Sequence, residues 1–324
     1  MTFDERAQAV AKKGFTERQA RFLTTVMQHA GVCVPRQYAR FCGIVHGAKT
    51  RKFFAKIVRL GFASMYDCRH NRARIYHVNK RALYAAIGEP ESGFRRRLTL
   101  NRAVQRLMVL DAIVEDPDLV WLATAEDKAA HLMAITSIAP PDLPHAVVGE
   151  GVGRKGRLFP DRLPIGVHLA GRGVLVYVFS EPGLNDFRGF LERHAAVLRA
   201  LPAWTLRLVA PPHLPSIGDR AKKVLEQHLM APLRPVTLDE LRWYFEQLRS
   251  DSPTDVARFE RDRGAFANPH LQLVYRLWKH DGEAALASVG SDAIRQDVEN
   301  GRGRIEVLEL GHRYGHLSPL VAVS

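Results

Sequence analysis

Lys49, Thr50, Arg51, Lys52, Lys56 and Arg59 crowd into one short stretch of the chain. Ammonium and guanidinium groups make charge-assisted hydrogen bonds to phosphate oxygens, and a guanidinium can also grip a guanine edge with two parallel bonds. Wound as a helix, Lys52, Lys56 and Arg59 recur at i, i+4 and i+7 and form one stripe, with Arg51 and Ala55 beside it. A small residue such as Ala55 lets a helix come close to the floor of a major groove. A second basic group follows at Arg69, His70, Arg72 and Arg74, between two β-like runs at 63–68 and 74–78. A basic hairpin tip suits phosphates or a minor groove. A basic stripe alone is as consistent with an ordinary solvated face; the elements around this one decide for recognition.

Other reactive residue types lead less far. Cys33, Cys42 and Cys68 give neither a disulfide framework nor a zinc-ligand spacing. Cys68 and His70 have no further ligands nearby. His312 and His316 stand four apart, but Gly311 and Gly315 oppose a regular helix and no glutamate lies between them. Ser180 and Ser216 lack the flanks of a nucleophile elbow. The Gly-rich run from Gly149 to Arg157 does not match a phosphate-binding loop and reads as a basic hairpin turn. No metal and no cofactor is implied.

The elements that would position the basic residues run from Thr16 to Ile87. Thr16 with Gln19 is a capping box opening a helix whose Phe22, Leu23, Val26 and Met27 share a face. Gly31 closes it, and Pro35 suits the first turn of a short second helix carrying Tyr38, Ala39 and Cys42 inward. A third helix, about 48–60, turns Phe53, Ile57 and Leu60 to the core and the basic stripe outward. The hairpin follows, then a helix capped by Asn79 and running to Ile87. This is the order of a winged helix-turn-helix, with the third helix as reader and the hairpin as wing.

Charge distribution agrees. The 324 residues carry a net charge of +13, with 46% apolar and 25% charged residues, as expected of a packed core. Residues 1–110 hold 22 Lys and Arg against 6 Asp and Glu, and residues 111–324 hold 25 against 28. The excess is confined to the first third, where a polyanion would dock. The charged N-terminus has no apolar leader core, and no apolar run reaches the ~18 residues of a membrane span, so a cytoplasmic protein is expected.

Beyond residue 90 the pattern changes. Arg95–Arg97 end a Gly/Pro/Glu linker, either as a basic arm or as plain linker. Leu98–Val114 is helical, with Leu100, Val104, Leu107, Met108 and Ile113 inward, and serves as a connector or a dimerisation helix. Apolar runs at 165–169, 174–179 and 204–209, with an amphipathic helix between the last two, suggest a strand–helix–strand unit. Residues 216–303 are mostly helical, and Arg304–Leu310 is a last strand.

This layout resembles the replication-relaxation-like proteins of plasmids and integrative mobile elements. The resemblance rests on the winged helix, Phe159-Pro160-Asp161, Val176 through Glu181, the helix Phe187–Leu201 and the strand Trp204–Val209. It implies a C-terminal domain related to restriction-endonuclease-like folds, often without catalytic residues. The nuclease pattern takes an Asp on one strand, then an acid and a Lys two apart on the next, to hold Mg²⁺ and place the attacking water. Asp161 and Glu181 are the weak candidates for the acids. Gly183 stands where Lys should be, so the set is incomplete.

The sequence therefore predicts a mixed α/β chain: a winged helix-turn-helix at 1–90, a linker and connecting or dimerisation helices at 91–135, and an α/β domain with a helical C-terminal part at 136–324. It predicts a sequence-specific double-stranded DNA-binding homodimer without enzymatic activity, most simply a transcriptional regulator of a mobile element or defence locus. A plasmid replication or relaxosome accessory is the alternative, ahead of a Mg²⁺-dependent nuclease.

Overall fold

A computed structural model describes residues 1–68, 73–148, 155–230, 237–250, 252–266, 269–288 and 293–314. The fold is mixed α and β. Helices α1 (Phe3–Ala11) and α2 (Glu17–His29) each begin with a full capping box, Thr2 with Glu5 and Thr16 with Gln19. Helix α1 was not foreseen. Gly31, at φ +71°, ends α2 and leads into β1 (Val32–Cys33). Its missing Cβ matters twice, since a side chain there would stand 2.6 Å from the Phe94 carbonyl oxygen.

Helices α3 (Pro35–Phe41) and α4 (Ala48–Arg59) follow, then strands β2 (Ala63–Asp67) and β3 (Arg74–Val78) and helix α5 (Arg81–Ala86). The strands form an antiparallel sheet in the order β1-β3-β2. Asn79 does not cap α5; Lys80 holds that position, and the Asn79 amide donates to Ser64 Oγ at 2.8 Å instead. The core beneath is aromatic. Tyr38 stacks on Phe53 at 4.2 Å between centroids, Phe54 meets Tyr76 at 4.3 Å, and Phe22 touches Tyr38, Phe41 and Phe53. Burying each such side chain contributes roughly 1.5–3 kcal/mol before any ring-pair term.

Helix α6 (Leu100–Glu115) lies between two layers. Leu110 and Val114 belong to the N-terminal core, while Leu107, Met108 and Ile113 pack with Val174, Val176, Val178 and Val209 of the larger sheet. Every residue from Leu107 to Val114 is buried. From Leu107 to Val114 the helix is thus enclosed as a connector, while Asn101 and Arg102 in its first turn and Glu115 at its end are exposed. Polar ties lock it to α3: Gln37 Nε2 donates to Leu107 O at 2.8 Å, and Arg40 pairs with Glu115.

The larger sheet is built from β4 (Val120–Leu122), β7 (Ile165–Val167), its hairpin partner β8 (Gly173–Val178), β9 (Trp204–Ala210) and β10 (Gly303–Glu309), in the order β10-β9-β8-β7-β4. Between β4 and β7 come α7 (Ala125–Ile135) and a small antiparallel pair, β5 (His145–Val148) and β6 (Lys155–Leu158). The Gly-rich turn read from the sequence falls between them, and its residues 149–154 lie outside the described residues. Strands β8, β9 and β10 are parallel and β7 is antiparallel to its neighbours. Helix α8 (Asn185–Ala200) carries the chain from β8 to β9, the expected strand–helix–strand unit.

Alternation along β8 divides the layers: Val174, Val176 and Val178 face α6, whereas Leu175 and Tyr177 face α8 and α9 (Ile217–Leu225). Strand β4 and helix α7 belong to these layers, so residues 120–135 pack into the platform. Gly303 pairs with Trp204, where a Cβ would enter the indole ring at 2.5 Å. Helices α10 (Leu238–Arg249), α11 (Val256–Ala265) and α12 (Pro269–Asp281) form a core of their own around Tyr244, Phe245 and Trp278, and α13 (Ala293–Glu299) precedes β10. Among the described residues no helix is long and apolar enough to cross a membrane.

Candidate nucleic-acid interface

Helix α4 owes its position to its apolar face. Thr50, Phe53, Phe54 and Ile57 are fully enclosed, so the opposite face carries Ala48, Arg51, Lys52, Ala55 and Arg59 into solvent. Two of the six expected contact residues on this helix do not belong to that face. Thr50 has no exposed surface, and its hydroxyl lies against the core; it can reach no phosphate. Lys56 is half-buried: its ammonium donates to the Gly14 carbonyl and sits 5.1 Å above the Phe15 ring. It fastens the α1–α2 junction to α4. Leu60, expected in the core, is 42% exposed, because the helix has already ended at Arg59. The free basic face is therefore Arg51, Lys52 and Arg59 around Ala55, with Lys49 exposed at its edge.

Beside that face a groove of about 590 Å³ separates α4 from the start of α2. Lys49, Lys52 and Lys56 line one side, and Thr16, Glu17, Arg18 and Gln19 the other. Arg18 was not singled out in the sequence, since only the packing of α2 on α4 brings it to the lysines.

At the hairpin, Arg74 Nε donates to Asp67 Oδ1 at 3.0 Å, so its charge is partly answered within the hairpin. Arg69, His70 and Arg72 lie outside the described residues. Within the linker Arg95 turns inward and donates to Asn79 O and Pro90 O, leaving Arg96 and Arg97 as the exposed members of that run.

The acids of the incomplete nuclease pattern are not assembled. Asp161 accepts two bonds from Arg193 of α8, at 2.6 and 3.3 Å. Glu181 is exposed beyond the end of β8. The carboxylate that shares Asp161's cleft of about 360 Å³ is Asp186, with Gln105, Asn185 and Tyr177. Burial first, and then the charges of Asp186 and Asp161, push the Tyr177 phenol well above its ordinary range. Strand β8 itself, Gly173–Val178, holds no acid and no lysine. Among the described residues, no group of three or more His, Cys, Asp or Glu side chains is arranged to hold a metal ion.

Three histidines are buried. His29 is held neutral to about pH 3 by burial and the charges of Lys128 and Arg6. His194, stacked on Phe190 at 4.0 Å, is lowered by burial to about 4. His77, with Nε2 2.9 Å from Phe94 O, is lowered by burial as well.

Comparison with family models, with curated proteins and with solved structures gives no match to this chain. Its function has to be argued from its own residues.

Proposed function

We propose that this chain is a sequence-specific duplex-DNA-binding protein, a regulator whose first unit is a winged helix-turn-helix set on an endonuclease-like platform that has lost its chemistry. The observation that carries this is the outer face of α4, where Arg51, Lys52 and Arg59 surround Ala55 on a helix braced by an aromatic core. Rigid guanidinium and ammonium groups around a small residue suit the major groove. The element order α2-β1-α3-α4-β2-β3 and the sheet order β1-β3-β2 support the winged-helix reading. The strands β4, β7, β8 and β9 with α6 before them and α8 between the last two, after setting aside α7 and the β5–β6 pair inserted between β4 and β7, support the platform's likeness to endonuclease-like folds and to the replication-relaxation-like proteins.

Binding without cleavage is the favoured activity, because Asp161 is neutralised by Arg193 and β8 brings no partner acid to it. Two copies would read a palindromic site. An accessory role at a plasmid origin uses the same interface, and the position of the bound site separates it from a promoter regulator.

The test is fluorescence anisotropy of the full chain with DNA from upstream of its own coding sequence, against a scrambled duplex, at two salt concentrations with Mg²⁺ present. Preference that survives the higher salt with the duplex intact is expected. Equal binding that collapses with salt would reduce the basic unit to a phosphate grip, since counterion release carries no sequence information. A cleaved product would return Asp161 to the chemistry.

A further inference from the structure

A second basic surface stands apart from α4. Several arginines of the N-terminal third have an acid beside them: Arg6 has Asp127, Arg21 has Asp4, Arg36 has Asp111, Arg40 has Glu115, Arg74 has Asp67 and Arg81 has Glu91. Arg96, Arg102, Arg106, Arg157 and Arg162 have none among the described residues; around Arg162 the nearby charges are Arg157, Arg96 and Arg102, and around Arg106 they are Arg162 and Arg102. Burial first, then these like charges, lower both Arg106 and Arg162, with Arg106 at about 10.

The cluster is fixed in place. Arg106 and Arg162 lie against the one Phe94 ring, 4.7 and 5.8 Å from its centroid, and the Arg162 fork lies so close over Gly93 that a Cβ there would stand 2.6 Å from Nη1. Arg96, Arg102, Arg157 and Arg162 are exposed. The start of α6 adds to the field. Its cap, Thr99, makes no side-chain capping bond, and its first turn holds no acid but does hold Arg102. A helix start ordinarily favours negative charge, so like charges meet here from three segments; Glu89, Glu91 and Glu126 line the cleft beside Arg157 and Arg162, but Glu91 is paired with Arg81 and none of the three forms an ion pair with the cluster among the described residues.

Location says which anion. Ile75 of β3 and Ala103 and Val104 of α6 share one core cluster, with Cys68, Ala73 and Leu98 packed against it. Segment 96–102 thus emerges beside the turn end of the β2–β3 hairpin, where the Cys68 N–H bonds the Ala73 carbonyl, on the platform side.

We propose that Arg96, Arg102, Arg157 and Arg162 form a second phosphate-binding surface, on the platform, which grips the backbone of the duplex flanking the stretch met by α4. The inference rests on the proposed duplex binding and extends it: the platform, and not only the winged helix, touches DNA. Its contacts add affinity but no sequence information.

The experiment compares the wild type with Arg96→Gln/Arg102→Gln/Arg157→Gln, a variant of exposed side chains that leaves Arg106 and Arg162 on Phe94. Affinity is measured against salt on the selected site, alone and with a flank of one further helical turn. Three lost phosphate contacts make the log–log salt slope shallower by about 2.7 on duplex DNA. The wild type is expected to gain from the flank and the variant not to, with the preference for selected over scrambled sequence unchanged. An unchanged slope and an unchanged flank effect in a wild type that still prefers its site would overturn this inference alone. Failure of the wild type to prefer any duplex would overturn the underlying reading, and this inference with it. A third arm adds tripolyphosphate. Thermal stabilisation of the wild type and not of the variant, with no flank effect, would assign the cluster to a free phosphorylated ligand and overturn the duplex assignment.

Discussion

Replacing Asp111 by Ala should cost the chain about 4 kcal/mol. Asp111 is 5% exposed and joins three elements distant in sequence. Its two oxygens accept from Arg36 Nη1 at 2.5 Å and Nη2 at 2.7 Å, and Oδ2 also accepts from the Tyr314 hydroxyl at 2.5 Å. Burial pulls the Arg36 guanidinium down, but the bonds and charge of Asp111 outweigh it and leave Arg36 above its ordinary range. Truncation strands a partly buried guanidinium and a phenol that is 1% exposed. Breaking a buried pair from one side costs roughly 3–5 kcal/mol, whereas replacing both partners by apolar groups is often close to neutral. Urea unfolding followed by tryptophan fluorescence should therefore place Asp111→Ala about 4 kcal/mol below the wild type. Asp111→Leu with Arg36→Met should recover most of the loss, and Tyr314→Phe should cost about 1.5–3 kcal/mol. A loss under about 1 kcal/mol in Asp111→Ala would mean that α3, α6 and the segment after β10 are not tied through this carboxylate.

Three further outcomes follow from buried groups. His29 and His194 are held neutral in the folded chain to about pH 3 and about pH 4, against 6.5 unfolded, so their contribution is complete above pH 6.5 and is lost as pH falls through that window. Each adds a slope of about 1.4 kcal/mol per pH unit, and melting curves between pH 7 and 5 should show it, with His194→Gln removing one share; a flat profile would contradict the burial of both rings. Thr50→Val removes a hydroxyl with no partner among the described residues, and should raise stability by up to about 1 kcal/mol while leaving DNA affinity unchanged; loss of affinity would return Thr50 to the contact surface. Gly31→Ala forces a side chain into φ +71° and against the Phe94 backbone, and should lower the unfolding midpoint by the equivalent of about 2 kcal/mol or more.

Local periodicity carried the strongest expectations. Phe22, Leu23, Val26 and Met27 are all fully buried, as are Phe187, Phe190, Leu191, Ala195 and Leu198, because an apolar stripe at helical spacing has only one low-energy place to go. Of the core positions expected on α4, Phe53 and Ile57 are buried and Leu60 is not. Adjacent Phe53 and Phe54 are both taken up, by Tyr38 and Tyr76, and Thr50 lies inward with them, while Leu60 falls past the end of the helix. The fate of Lys56 was not legible at all, since its partners Gly14 and Phe15 lie about forty residues away and meet it only through packing. The same holds for Asp161, whose partner Arg193 is 32 residues distant on another element. Helix α1 was legible in Thr2 and Glu5, the same capping signature used at Thr16. The arginine cluster is gathered from Arg96, Arg102, Arg157 and Arg162, and no one-dimensional pattern unites them.

The claim at the centre is that the outer face of α4 reads duplex sequence. The most direct test is a pair of binding isotherms, on the selected and on a scrambled duplex, for the wild type and for Arg51→Ala with Lys52→Ala. Both side chains are exposed and take no part in the core, so the unfolding midpoint should not move. Base contacts are worth roughly 1–3 kcal/mol each, and the preference for the selected duplex should fall at least tenfold while weak scrambled binding persists. A preference that stays intact in a folded variant would show that α4 is not the reader.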